Sequence, residues 1–186
     1  KDGSLSFNSK SSGFVSIVHD PWRPVTSDGG HLGQNPGLFN RCKLDKRLDI
    51  AVFQTHYLKE NIHLSGIPTL HTAVTSDQES FDICVALSLI SEENEIINQF
   101  TTGFLRIKKA IKDIEKIYIV NFHPTNISII KGSKLRLSLS ASAWPAIGVN
   151  SGQDKVRNGN TSIDHKITTL NFNLQKSIMK INPFFK

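Results

Sequence analysis

The chain has 186 residues, 38% of them hydrophobic and 20% charged, with 22 Lys and Arg against 16 Asp and Glu for a formal net charge of +6. That length and composition suit one compact globular domain and exclude disordered, collagen-like and coiled-coil chains. The basic surplus is dispersed, since Lys108, Lys109, Lys112 and Lys116 alternate with Asp113 and Glu115 and few aromatics stand among the other basic residues, so a nucleic-acid partner is not expected.

No apolar run approaches the ~18 residues of a membrane helix, and Lys1 to Lys10 has neither a hydrophobic signal core nor a cleavage motif, so no membrane partner and a cytoplasmic setting are the expectations. Two cysteines do not make a disulfide scaffold; Cys84 sits in an apolar run and Cys42 in a polar one. The sequons Asn126-Ile-Ser and Asn160-Thr-Ser matter only in a glycosylating compartment.

In chain order, the first strand expected from hydrophobic patterning is Phe14 to Val18, entered through the turn residues Ser12-Gly13. Turn formers Asp28-Gly29-Gly30 precede a strand over Leu48 to Thr55, then Ile62 to Leu64, the turn Gly66 to Pro68, and Leu70 to Val74. Phe81, Ile83, Val85, Leu87 and Leu89 share one parity, the two-residue period of a half-buried strand. Ile107, Ile111 and Ile114 are spaced as on a helix, so Arg106 to Lys116 taken alone reads as a short amphipathic helix. Ile117 to Phe122 is a further strand. After Lys131-Gly132 comes a second strict alternation, Leu135, Leu137, Leu139 and Ala141, predicted to face a core with Arg136 and Ser138 turned away. Gly148 to Asp164 reads as a long loop, and Ile167 to Leu174 and Ile178 to Ile181 as the last strands. Many short strands without regularly spaced helices predict an all-β antiparallel sandwich or jelly roll.

Catalytic chemistry is not visible. The Gly-x-Ser-x-Gly elbow of a serine hydrolase is absent, and no two of the seven histidines stand as His-x-His or His-x-x-x-His, so neither a catalytic serine nor a metal site is expected. His56, His63 and His71 read as ordinary strand or surface histidines. His19-Asp20 is a poor dyad because neighbours on a strand point to opposite faces. Gly29-Gly30-His31-Leu32-Gly33 has the glycines of a phosphate loop without the following Lys-Ser or Lys-Thr, and reads as a flexible loop. Asp77, Glu79 and Asp82 lack calcium-loop spacing and read as solvated turn residues.

Several segments together resemble one family. His19-Asp20-Pro21-Trp22-Arg23-Pro24-Val25-Thr26 followed by Gly29-Gly30 resembles the Tyr-Asp-Pro-x-x-Pro-Val-Pro-Thr-x-Gly-Gly loop in the C-terminal domain of X-Pro dipeptidyl-peptidases and the related cocaine esterases and α-amino acid ester hydrolases. Arg47-Leu48-Asp49-Ile50-Ala51-Val52-Phe53-Gln54-Thr55 is similar to that family's Arg-x-Asp-Val-x-x-Tyr-x-Thr strand. Ser76-Asp77 with Phe81-Asp82 resembles its Ser-Asp…Asp-Phe segment, and Thr102-Gly103-Phe104-Leu105-Arg106 its Asp-Gly-x-Leu-Arg. Lys131-Gly132-Ser133-Lys134-Leu135-Arg136-Leu137 through Ser142-Ala143-Trp144-Pro145 is similar to Gly-His-Arg-Leu-Arg-Leu-x-x-Ser-Ser-x-Phe-Pro, with Ser133-Lys134 departing from His-Arg.

The resemblance implies that residues 1–186 are one jelly-roll domain of the galactose-binding type, the C-terminal part of a larger α/β-hydrolase protein. It also implies that Leu105 to Lys108 are strand, and that the catalytic triad lies in the preceding domain, so this chain carries no catalytic residue and no cofactor. Its expected partners are that upstream α/β-hydrolase domain and, through oligomer contacts, further copies. The substrate-pocket rim or interdomain contact is expected at Trp22, Pro24, His31 and Leu32, because irregular loops at a sandwich end are where binding is built; the alternative is that Trp22 and Pro24 brace the domain's own core. The competing reading is a stand-alone carbohydrate-binding sandwich, which fold alone does not separate from the first.

Overall fold

Alternation dictates the architecture. Phe81, Ile83, Val85 and Leu87 are all buried in one core cluster with Leu135, Leu137 and Leu139, as a shared parity requires. The structure, a computed structural model, describes residues 2–5, 12–30, 35–91, 96–181 and 183–185. His31 and Leu32 lie outside the described residues.

Among the described residues the strands are, in order, β1 (Asp2–Ser4), β2 (Phe14–His19), β3 (Phe39–Asn40), β4 (Ala51–Gln54), β5 (Ile62–Gly66), β6 (Thr69–Ser76), β7 (Phe81–Ile90), β8 (Ile97–Ile107), β9 (Lys116–Asn121), β10 (Thr125–Ile129), β11 (Lys134–Ser140), β12 (Thr168–Lys180) and β13 (Pro183–Phe185). They form a six-stranded sheet in the order β1-β4-β11-β7-β8-β3, a four-stranded sheet β2-β12-β6-β9 and a three-stranded sheet β10-β5-β13. All pairs are antiparallel except β1 with β4. Ile17, Leu70, Val74, Val120, Leu170 and Phe172 from the four-stranded sheet meet Ala51, Phe53, Ile83, Leu87 and Leu137 from the six-stranded sheet in that one cluster, with Ile62, Leu64 and Ile129 closing it. This is the expected all-β sandwich.

The helix read into Arg106 to Lys116 does not form. Residues through Ile107 continue β8, and the connection to β9 is irregular, with Lys109 and Asp113 at φ of 54° and 59°. Ile107 is 7% exposed while Ile111 is 72% and Ile114 58%, so the three isoleucines share no buried face. Cross-strand pairing of β8 with β7 from Phe81↔Ile107 onward overrides the local period. Patterning also missed β1, β3, β10, β13 and the part of β8 before Leu105, and the two runs expected at the end join into one strand, β12, across a bulge between Asn173 and Ile178. No helix among the described residues is long and apolar enough to cross a membrane.

Gly103 sits where β8 meets the end of β9 in a bridge to Phe122. A Cβ there would stand 2.2 Å from the Asn121 carbonyl oxygen, so only glycine permits this corner between the sheets.

Candidate docking surface

The outward parity of β7 and β11 carries small side chains, Cys84, Ala86 and Ser88 beside Ser138 and Ser140. All are buried, because irregular segments lie directly on them. Small residues allow that close approach; Val25, Leu44, Ile50 and Val52 form a second, minor core between the covering segments and the sheet. A hollow of about 40 Å³ remains beside Val25, Thr26, Ser142 and Ala143, bordered by Arg41, Gln99, Thr102 and Ser140.

Buried polar groups fix the cover. Arg41, 6% exposed, donates from Nε to Asp45 Oδ1 at 2.9 Å and from Nη1 to Gln99 Oε1 at 2.7 Å. Desolvation lowers its pKa while Asp45 opposes that shift. Asp45 also accepts from Ser138 Oγ at 3.0 Å, tying the short 3₁₀ turn Leu44–Lys46 to β11.

At the end of the sheet where β7 begins, Asp82 accepts from Arg106 Nε at 2.8 Å and from Asn150 Nδ2 at 2.8 Å. Arg106 Nη2 donates to Asp82 Oδ2 and to the Gly148 carbonyl, so one cross-strand ion pair pins the start of the long loop. The hydrogen bond to Asp82 raises the Arg106 pKa. Asp82 is therefore not the solvated turn residue expected: its side chain is 1% exposed. Asp77 is structural too, its Oδ1 accepting from the Thr169 backbone N–H at 2.8 Å. His19, 4% exposed, lies beside this network. Burial depresses its pKa, against the fields of Asp82, Asp20 and Asp49 and a hydrogen bond with the Asn150 backbone.

From His19 the chain leaves β2 into an Asx turn in which Asp20 Oδ1 accepts from Trp22 N at 3.0 Å and Asp20 O from Arg23 N at 3.0 Å. Pro21 is buried, but Trp22 is left 52% exposed and Pro24 partly so. Two other loops are tied to the residues flanking Trp22. Thr161 Oγ1 donates to the Pro21 carbonyl at 2.7 Å, and Arg47 Nη2 donates to the Arg23 carbonyl at 2.7 Å while its fork is held by Asp49. That fork raises the Arg47 pKa. Each tied loop carries an exposed aliphatic residue, Ile163 at 90% and Leu48 at 79%. Beyond Pro24, Val25 O accepts from Trp144 N at 2.9 Å and Trp144 O from Ser27 N at 2.7 Å, bringing the half-exposed Trp144 alongside.

The loop carrying Trp22 and Pro24 is thus hydrogen-bonded to three others. Sequence reasoning missed Leu48, assigned to a strand, and Ile163, assigned to an undifferentiated loop. Only long-range hydrogen bonds gather them. Trp22, Leu48 and Ile163 are thus exposed apolar side chains on loops tied to one another by hydrogen bonds. His63 and His71 lie on different sheets and His56 in a loop, so these histidines share no strand pair. Among the described residues, no group of three His, Cys, Asp or Glu side chains is placed to hold a metal.

Residues 2–177 match the family profile described as the X-Pro dipeptidyl-peptidase C-terminal non-catalytic domain. No curated protein matches in sequence. Among solved structures, an aminopeptidase from a marine sediment Thaumarchaeota archaeon superposes with a TM-score of 0.83 at 16% identity, covering 97% of this chain and 35% of that one. An α-amino acid ester hydrolase gives 0.83 at 17%, covering 98% of this chain and 35% of that one. A CocE/NonD family hydrolase from Staphylococcus aureus gives 0.63 at 13%, with 98% and 34% covered. The chain thus spans about a third of the length of these proteins, and at such identities the likeness is one of fold.

Proposed function

Since the chain belongs to the family of X-Pro dipeptidyl-peptidase C-terminal non-catalytic domains, we propose that it is the accessory β-sandwich of a larger serine hydrolase acting on amino-terminal X-Pro peptides or on acyl esters. Its role is to pack on the upstream α/β-hydrolase domain through the Trp22 rim and to supply part of the wall over the substrate pocket. The observation that carries this reading is the convergence of Trp22, Leu48 and Ile163 on loops tied together at Pro21 and Arg23. Interdomain surfaces commonly cover roughly 600–1,500 Å², and a rim of large exposed side chains at one sandwich end is a natural centre for such a contact. Pro24, His31 and Leu32 belong to the same proposed contact by sequence position.

The test compares hydrogen exchange of residues 20–27, 47–49 and 161–163 in this chain alone and in the polypeptide that also holds the hydrolase domain. Protection of all three in the longer polypeptide supports docking here; equal exchange removes the assignment. The carbohydrate-binding reading draws on the same exposed indoles, Trp22 and Trp144, and requires that sugars quench their fluorescence.

A further inference from the structure

Strand β2 is the outer strand of the four-stranded sheet, hydrogen-bonded to β12 on one side and, among the described residues, to no strand on the other. Such an edge is a row of backbone donors and acceptors open to any strand that reaches it, and proteins ordinarily blunt it with charge, proline, bulges or brevity. Phe14-Val15-Ser16-Ile17-Val18-His19 uses none of these: it has no Lys, Arg, Asp, Glu or Pro and pairs with β12 without a register shift. The other edges differ. Among the described residues, β1, β3 and β13 have two or three residues each, β9 abuts β8 at the Gly103–Phe122 bridge, and β10, although likewise free of charge and proline, exposes the polar Asn126 and Ser128 where β2 exposes Phe14 and Val18.

The sequence of β2 also names its occupant. When a strand pairs with its own copy about a two-fold axis, residues equidistant from the axis become neighbours. About Ser16, Val15 meets Ile17 and Phe14 meets Val18, so the strand is a near-palindrome of apolar character. Phe14 is 68% and Val18 48% exposed, and an aromatic beside a β-branched residue is a favourable cross-strand pair. No like charges meet, which matters in a chain of net charge +6.

We propose that two copies of this chain associate by antiparallel pairing of β2 with β2 about a two-fold axis at Ser16, joining two four-stranded sheets into one. Because the strands run in opposite directions, the two Trp22 rims emerge at opposite ends of the joined sheet. The contact is independent of what those rims cover.

The experiment is sedimentation equilibrium over a concentration series, with Ser16→Lys and Ser16→Cys. Ser16 is exposed, its Oγ donating only to Asn171 Oδ1 at 2.6 Å. The wild-type chain should show a monomer–dimer equilibrium, and Ser16→Lys should weaken it on the order of tenfold or more with the monomer's thermal melt retained. Facing Cα atoms in an antiparallel pair are about 4.5–5.5 Å apart, within disulfide reach. Ser16→Cys should therefore give an oxidised, covalent dimer that wild type, despite Cys42 and Cys84, does not give. Phe14→Cys should not self-link, whereas Phe14→Cys combined with Val18→Cys should. A chain that stays monomeric at its highest soluble concentration overturns the proposal. So does a dimer indifferent to Ser16→Lys, or one that does not cross-link at Ser16→Cys, which is also the deciding result should the Lys variant not fold.

Discussion

Asp82 and Arg106 stand opposite each other on β7 and β8, carboxylate to guanidinium in a two-pronged pair whose Oδ2 to Nη2 distance is 2.7 Å. The Phe81-Asp82 and Leu105-Arg106 segments, separate in sequence, are thus the two halves of one contact. With Asn150 added, that contact determines where the long loop begins.

Breaking the pair should be costly because Asp82 has almost no access to water. Arg106→Ala leaves a buried carboxylate without its cation and should destabilise by about 3–5 kcal/mol. Chemical denaturation measures it, and the exchange of amides 148–152 should rise along with the stability loss.

Gly103→Ala tests the corner between the sheets. The neighbour of the new Cβ is the Asn121 backbone carbonyl at 2.2 Å, which cannot swing aside as a side chain can. A loss of about 1–3 kcal/mol or more is expected; a neutral substitution would mean that β8 and β9 are not pressed together here.

The alternation Leu135, Leu137, Leu139 was legible in the sequence, and so was that of β7 from Phe81 to Leu87, because these residues share one core; that β7 is not half-buried, its other parity lying under the covering loops, was not. Leu137, 4% exposed, should cost about 2–5 kcal/mol on truncation to Ala, read from the same denaturation curves. What the sequence hides is pairing at a distance. Ile107, Ile111 and Ile114 carry a helical period that strand β8 overrides, and β10 is hard to see because Asn126 and Ser128 lie on its exposed parity. That Trp22 stands on an irregular loop was legible from its Pro- and Gly-rich context, and the structure leaves it exposed. Leu48 and Ile163 were not, since hydrogen bonds to Pro21 and Arg23, many residues away, bring them there.

His19 should give the fold a dependence on mild acid. Burial is the larger effect and depresses its pKa below the ordinary 6.5, so below that value the unfolded chain binds a proton that the folded chain resists. Stability is therefore fully present above about pH 6.5 and declines as the pH falls through the window down to the folded-state pKa. Melting temperatures of wild type and His19→Gln across that window check this: the wild-type curve should fall more steeply toward acid, and parallel curves would exclude His19 as the source.

The central claim is that the Trp22 rim serves a catalytic domain rather than this domain's own core. The most direct measurement is Trp22→Ser examined twice, by thermal melting of this chain and by steady-state turnover of the polypeptide that also carries the hydrolase domain. An exposed rim residue predicts a melting temperature near that of wild type together with a changed kcat/KM in the longer protein. A large drop in melting temperature with turnover unaltered would contradict the account and return Trp22 to a bracing role within the sandwich.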